Sequence, residues 1–453
     1  MGVAAAWCAS AQAIVVENQA GTTAAPIGAG NDPGWNNVTI GVPNSRNFVY
    51  LGDGWAISAR HVGPEPSHPN QSLYFSSGTI DIIPGQNYVV PNPGGVENPG
   101  SNQLSLTSDL RLVRLKAEPP GLSSIFDASP QFTIASQGLT AGSPEAAQPV
   151  TFIGHGRTRF DDPNPLIDDH TYWNSSWQEV PPNPGPVAYT GYKANSPNDD
   201  TKRWGTNLIA DENPLFGHTD SDLRITFRQN PDTANVRDTV TMVTQFDAPG
   251  VGVPLTEAQA VDGDSGSAVF QKRNGQWQLV GLINFVYTRF PDTDTAAPNQ
   301  PGFPNPTAVY ENLTAFADLS FYHGEIFNII NSNSNYSILG DIDLDGKFLD
   351  DLTDDMAAFA SGWGFNNGQG QGNLASWSRG DLSGPLGLRD GKTDVFDFMA
   401  FRDAMNNPLA SAALANMIGL GVSVVPEPTS AVLALFAVAS FAAFGRRRRR
   451  PGS

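Results

Sequence analysis

Cysteine is nearly absent: Cys8 is the sole example in 453 residues. No intrachain disulfide and no cysteine-based zinc centre can form, so packing and hydrogen bonds must hold whatever folds here. Positive charge is scarce as well. Lysine and arginine total 26 against 45 acidic residues, and five of the 26 are the consecutive arginines 446–450. The net charge of −19 becomes −24 when that cluster is set aside, which excludes sequence-independent binding to a phosphate backbone. Long apolar runs are missing too. The longest at the C-terminal end, Ala431 to Phe444, has 14 residues, short of the ~20 that span a bilayer. Glycine (46) and proline (36) are plentiful, and 40% of the chain is apolar. That composition describes a loop-rich chain, too long for one ordinary domain and able to bury a sizeable core.

Both ends read as targeting segments. Residues 1–13, MGVAAAWCASAQA, carry no charge, run apolar from Val3 to Ala11, and end in Ala11-Gln12-Ala13, the small-x-small form of a signal-peptidase site. At the other end Val425-Pro426-Glu427-Pro428 precedes the apolar run 431–444 and then Arg446 to Arg450. Positive flanks stay in the cytoplasm, so everything before the run is directed outward. The order Pro-Glu-Pro, apolar helix, arginine cluster over 425–450 resembles the PEP-CTERM sorting signal. The resemblance implies an exosortase-type sorting enzyme as partner, a transmembrane helix at 431–444 before processing, and delivery to the cell envelope, surface or exterior.

From Ile14 to about Tyr322 short strand-like segments alternate with Gly, Pro, Asn and Asp clusters: 47-NFVYLG, 55-WAISA, 110-LRLVRL, 149-PVTFIG, 223-LRITF, 238-DTVTMVTQF, 267-SAVF and 277-WQLVGLINFVY. This spacing predicts an all-β sandwich or barrel. Residues 161–213, rich in Pro, Asn, Asp and Trp, read as an insertion of long surface loops. Around 319-LSFYHGEIFNIIN the period becomes helical, with Phe321, Ile326, Ile329 and Ile330 on one face. A polar linker (332–339), a small acidic unit with helical patterns (340–407) and a spacer or short helix (408–424) follow.

Three segments carry the chemistry. Gly263-Asp264-Ser265-Gly266-Ser267 places a serine between glycines, a tight turn that exposes the hydroxyl. The Gly263 and Ser265 amides can serve an oxyanion. A serine needs a base beside it. Of six histidines only His61 follows a strand-like segment, Trp55 to His61. The base needs a carboxylate to hold its tautomer, and Asp109 begins the strand Asp109 to Leu115. The order His61, Asp109, Ser265 in these contexts resembles the trypsin-like serine peptidases. Weaker matches are Gly154-His155-Gly156, Leu279 to Phe285 and Leu319 to Ile330. The resemblance spans residues 14–331 and implies two packed six-stranded antiparallel β-barrels with the triad in the cleft between them. It also implies a substrate pocket formed by Gln259, Asn284 and Val286, which favours a small or medium uncharged side chain. In this family a freed N-terminal isoleucine pairs with the aspartate before the serine. A cut after Ala13 would expose Ile14 to Asp264; equally, 14-IVV is the first strand. Arg60 and Val62 depart from the family pattern around the histidine, and 156 positions separate Asp109 from Ser265.

The acidic unit opens with Asp341-Ile342-Asp343-Leu344-Asp345-Gly346, three carboxylates at alternate positions and then a glycine, the first half of an EF-hand-like Ca²⁺ loop. Its twelfth position is Leu352, leaving Asp351 or Asp355 to complete the site. A second copy uses Asp381, Ser383, Asp390, Asp394 and Asp397, interrupted by Pro385 to Arg389. Two such loops, each leading into a helix, resemble a dockerin module, which implies two bound Ca²⁺ and a cohesin-like partner. The expectation for the whole chain is therefore a mainly β serine endopeptidase that needs no cofactor for catalysis, followed by a small α-helical calcium module and a sorting tail. The rival is a surface binding or scaffold protein on the same fold that has lost cleavage.

Overall fold

In a computed structural model, residues 14–420 are described apart from 18–20, 27–29, 43–45, 64–70, 100–102, 160–169, 183–184, 195–200, 211–222, 230–236, 251–252, 288–306, 334–338, 345–347, 349–351, 367–373, 386–388 and positions 98, 128, 158, 255 and 262. The expected signal segment (1–13), the sorting tail and the expected transmembrane helix (431–444) lie outside the described residues, as do Asp345 and Asp351. No helix among the described residues is long and apolar enough to cross a membrane. The chain divides into a unit ending at Ser337 and a second beginning at Ile338.

The first unit is mainly β. Its strands are β1 Val15–Val16, β2 Val38–Val42, β3 Arg46–Gly52, β4 Trp55–Ala59, β5 Ser72–Phe75, β6 Gly78–Pro91, β7 Thr107–Leu115, β8 Phe132–Ile134 and β9 Val150–His155. They continue as β10 Thr171–Trp173, β11 Tyr189–Lys193, β12 Lys202–Asn207, β13 Ile225–Gln229, β14 Arg237–Gln245, β15 Ala258–Gln259, β16 Ala268–Arg273, β17 Gln276–Tyr287, β18 Thr307–Val309 and β19 Leu313–Asp318. Strands β2, β3, β4, β7, β6 and β5 pair in a ring, and β5 closes it on β2. This closed six-stranded barrel leaves no free edge. The order β12-β9-β16-β17-β19-β14 runs on through the second half. There Ile209, just past β12, bridges Thr244 of β14.

Alternation along the strands explains why β4 and β7 read as almost continuous apolar runs. Ala56, Val113 and Leu115 fill the barrel with Phe48, Tyr50 and Leu73. Trp55, Ile57, Leu110 and Leu112 point the other way, onto Phe270, Leu279 and Leu282 of the second half. Both faces are buried, so period-two polarity disappears. The second half has its own core, including Phe152, Met242, Val269, Val280, Ile283 and Phe316. Gly281 is required there, because a Cβ would come within 2.2 Å of the Phe316 ring.

Residues 161–213 are not only surface loops, as their composition suggests. They supply β10 and β11, which pair with β18 in a three-stranded sheet, and β12, which joins the main sheet. The aromatic residues are the cause: Trp177 stacks on Tyr189 at 4.1 Å, and Trp173 is fully buried. Helix α1 (Leu319–Ser332) is N-capped by Asp318, which accepts from the Ser320 N–H. Its buried face is Leu319, Tyr322, Ile326 and Ile330, with Phe321 and Ile329 at the margin.

The second unit contains α2 (Leu352–Gly362), α3 (Leu374–Trp377), α4 (Val395–Met405) and α5 (Pro408–Met417). The expected spacer at 408–424 thus begins as a helix. The two halves repeat each other. Asp355 accepts from the Ile342 and Asp343 N–H groups, and Asp397 accepts from those of Leu382 and Ser383. One turn beyond each aspartate, Phe359 and Phe401 stack at 4.9 Å with their rings 4° from parallel.

Tyr322 pins α1 to β14 and to the end of β6. Its hydroxyl accepts from the Val240 N–H at 2.9 Å and donates to Asn92 Oδ1 at 2.8 Å. Tyr322→Phe strands two buried partners, and its expected cost is about 2–4 kcal/mol. Urea unfolding should show a lower midpoint with an unchanged m-value.

Candidate active site

His61 follows β4 in a short 3-10 turn, Arg60–Val62, that swings its ring off the barrel wall. Asp109 lies in β7, paired antiparallel with β4, so the two strands deliver base and carboxylate to one edge. His61 Nδ1 is 2.6 Å from Asp109 Oδ2, and the His61 backbone N–H donates to Asp109 Oδ1 at 2.9 Å. Asp109 is fully buried, whereas the His61 side chain is 29% exposed. A carboxylate at Nδ1 favours the tautomer protonated there, which leaves Nε2 able to accept a proton.

Asn284 holds Asp109 from behind. Its Nδ2 donates to Asp109 Oδ2 at 2.9 Å and to the Asp109 carbonyl at 3.0 Å, while its Oδ1 accepts from the Ala317 N–H. The resemblance assigns Asn284 to the substrate pocket; its side chain instead faces the Asp109 carboxylate and is buried. Val286, two residues on, pairs with Thr314 of β19, whose Oγ1 accepts from the Ala260 N–H. Gln259 is fully buried in β15, opposite Val15 of β1. Both atoms of its amide lack a hydrogen-bond partner among the described residues.

Ser265 sits in a turn fixed from several sides. Gly263 has φ 108° and Gly266 φ 83°, values that favour glycine. A Cβ on Gly266 would lie 2.4 Å from the Asn47 carbonyl oxygen. Gly266 N–H donates to the Ile283 carbonyl at 2.7 Å, and Ser267 N–H to that of Asp264 at 3.0 Å. Asn47 of β3 reaches across from the closed barrel. Its Nδ2 donates to the carbonyls of His155 at 2.6 Å, Gly263 at 3.2 Å and Ser265 at 3.4 Å, and its Oδ1 accepts from the His155 N–H at 2.6 Å. Ser58, three residues before His61, donates to the Asn47 carbonyl. Neither the Gly263 nor the Ser265 N–H has an acceptor among the described residues. No hydrogen bond joins Ser265 Oγ to His61 Nε2 there either. Catalytic hydrogen bonds of this kind are often loose before substrate binds.

Sequence reasoning missed Asn47 and did not foresee that Asn284 holds Asp109. The signal for both was a polar amide inside an apolar strand, NFVYLG and LVGLINFVY. Asp264 is buried and accepts from the Val261 N–H at 2.7 Å. Ile14 is buried as well, in the core around Phe152 and Ile283.

In the second unit, Asp341, Asp343 and Asp355 bring carboxylate oxygens within 4.8 Å of one another. Burial first, then the Asp343 and Asp341 charges, push the Asp355 carboxyl up to about 7. In the second copy the oxygens serve the loop itself. Asp381 accepts from the Ser376 hydroxyl and the Gly391 N–H, Asp394 caps α4, Asp397 accepts from the Asp394 N–H, and Asp390 accepts from the Lys392 N–H. Ser383 is held through its backbone by Asp397.

Residues 424–450 match the PEP-CTERM protein-sorting motif. That motif marks the chain for export and cell-surface sorting by an exosortase-type enzyme. No curated protein matches the chain.

The β1–β15 pair is anchored by a polar network around Glu17. Tyr192 and Tyr310 donate to the two oxygens of Glu17 at 2.8 and 3.0 Å, and His170 Nε2 lies 3.0 and 2.7 Å from the same hydroxyls. The Tyr310 hydroxyl also lies 2.9 Å from that of Tyr192, so the two phenols, Glu17 and His170 form one hydrogen-bonded network. Glu257 lies one residue before β15. Burial, with Asp247 and Glu17 nearby, pushes its carboxyl up to about 8 from the ordinary 4.5. Between those values the folded chain holds a proton that the unfolded chain has lost, so stability falls as pH rises through that window and levels off above it. Glu257→Gln should remove a pH-dependent loss on the order of 3 kcal/mol, read as a flatter urea midpoint against pH than wild type.

Proposed function

We propose that residues 14–331 form a secreted, surface-sorted serine endopeptidase of the trypsin-like kind. The observation that carries this reading is the His61–Asp109 pair at 2.6 Å, braced by Asn284, on a mainly β scaffold. The closed barrel β2–β7 and the six-strand run that follows it support the two-barrel architecture. In the mechanism, Ser265 Oγ attacks the peptide carbonyl while His61 Nε2 takes its proton. Asp109 holds the tautomer and stabilises the cation that forms. The Gly263 and Ser265 N–H groups bind the oxyanion, each such donor being worth about 10²–10³ in kcat. His61 returns the proton to the leaving amine, and water repeats the sequence on the acyl-enzyme.

The absence of a hydrogen bond between Ser265 and His61 favours a second reading, a binding or scaffold protein on this fold. A fluorophosphonate probe separates the two. We expect the full chain to label, and a Ser265→Ala variant not to label. A well-folded wild-type sample that stays unlabelled would leave the binding-protein reading standing.

The second unit is a dockerin-like calcium module in this proposal. Asp341, Asp343 and Asp355 offer an all-oxygen donor set that suits a hard cation, and Ca²⁺ there would neutralise three crowded carboxylates. Its partner in this reading is a cohesin-like protein. Ca²⁺ should raise the melting temperature of this unit in calorimetry of the full chain, and a chelator should reverse the shift. The double variant Asp341→Asn, Asp343→Asn should lose at least half of it.

A further inference from the structure

Two arginines converge beside His61 in a chain otherwise dominated by negative charge. Arg60 immediately precedes the histidine. Its Nη1 donates to Thr107 Oγ1 at 2.9 Å. Arg237 opens β14 and is paired through its backbone with that same Thr107. Its Nη1 lies 3.7 Å from Asp109 Oδ1, beyond hydrogen-bond reach, and its Nε is sealed from water with no acceptor. A guanidinium carries five N–H donors. Among the described residues these two guanidiniums together make one hydrogen bond, the bond to Thr107.

The neighbouring anions are already committed. Asp109 serves His61 and Asn284. Asp238, next to Arg237, is engaged by Arg228 at 2.7 and 3.0 Å and by the Ser105 N–H. Two arginines against Asp109 leave a local excess of one positive charge when His61 is neutral. The repulsion is felt at Arg60, whose guanidinium is depressed by burial first and then by the Arg237 charge. Arg60 is half-buried and Arg237 is 19% exposed. Neither side chain is wholly buried, and Asp109, which His61 contacts at 2.6 Å, lies 3.7 Å from Arg237 Nη1.

We propose that Arg60 and Arg237 form a carboxylate-binding subsite, so that the favoured substrates are peptides with Asp or Glu close to the scissile bond. Paired guanidiniums match a carboxylate in charge and in planar donor geometry. An incoming side-chain carboxylate takes the donors that the protein leaves unused and relieves the Arg60–Arg237 repulsion. Arg60 then has a use in recognition, and it does not block the cleft. The cleavage arm of this inference rests on the serine-peptidase reading; the binding arm does not.

The test uses the full chain carrying Ser265→Ala and a scanning set of short fluorescein-labelled peptides. In each peptide one position is Glu, and a second peptide carries Gln there. Anisotropy should show at least one position where Glu binds about tenfold more tightly than Gln, an advantage that shrinks as salt is added. Arg60→Gln and Arg237→Gln should each cut the advantage several-fold, and Arg60→Lys should keep part of it. Circular dichroism confirms that each variant is folded. With Ser265 restored, the same Glu-to-Gln ratio should appear in kcat/KM. Equal binding of Glu and Gln peptides at every position overturns the subsite, as does an advantage that survives both arginine variants. Acid-selective binding with no cleavage and no fluorophosphonate labelling would instead keep the subsite and overturn the peptidase reading.

Discussion

Two buried asparagines join the halves of the first unit, and the site exists only where they cross. Asn47 leaves the closed barrel to hold the carbonyls of His155, Gly263 and Ser265. Asn284 leaves the second half to hold Asp109. Each amide reads backbone or carboxylate of the opposite half, so the serine turn and the His61–Asp109 pair are registered to each other without a covalent link. In a chain with one cysteine this task falls to hydrogen bonds. Their burial makes them directional. An amide that loses its partners in a dry interior costs more than the bond was worth, so a relative shift of the two halves is penalised at several bonds together.

The same logic extends to the segment 161–213. Its strand β11 brings Tyr192 against Glu17, the residue that follows β1, and His170, just before β10, meets the Tyr192 hydroxyl. Arg159 adds a hydrogen bond to the Glu17 carbonyl and lies over the Tyr192 ring. The N-terminal strand is thus clasped by polar contacts at the point where β1 pairs with β15, three residues before Asp262 and the serine turn. A segment that looks dispensable by composition contributes a fastening for that strand.

Much of this was legible in the sequence because strand segments with both faces buried are short, apolar and bounded by turn residues. The segments at 55–59, 110–115, 150–155 and 277–287 all appear as strands. The serine turn was legible for a related reason: glycines at positive φ cannot be disguised. The insertion was not legible, because its strands are three to six residues long and owe their place to packing of Trp173, Trp177 and Tyr189 with one another and with the distant Val309. The role of Asn284 was hidden differently. A polar residue in an apolar strand announces a partner, yet nothing local says whether that partner is a ligand or a buried carboxylate. Arg237 was hidden altogether, since only the parallel contact of β14 with β7 carries it to Thr107.

Charge gives the last connection between the parts. The second unit concentrates carboxylates until three of them share one small volume, an arrangement that a hard cation stabilises and that repels itself otherwise. The site in the first unit does the reverse. It gathers two guanidiniums around one committed carboxylate inside a strongly acidic chain. Both arrangements store local electrostatic repulsion, of opposite sign, against the average charge or within it. Such clusters are costly to keep in the free protein, and a ligand of the complementary sign relieves them most. The acidic surroundings also matter for the cationic one. A field of net negative charge holds general anions away by long-range repulsion. In the proposed subsite, a peptide carboxylate would gain from Arg60 and Arg237 only once the rest of the ligand had seated it beside His61, which would make the contact a source of discrimination more than of bulk affinity.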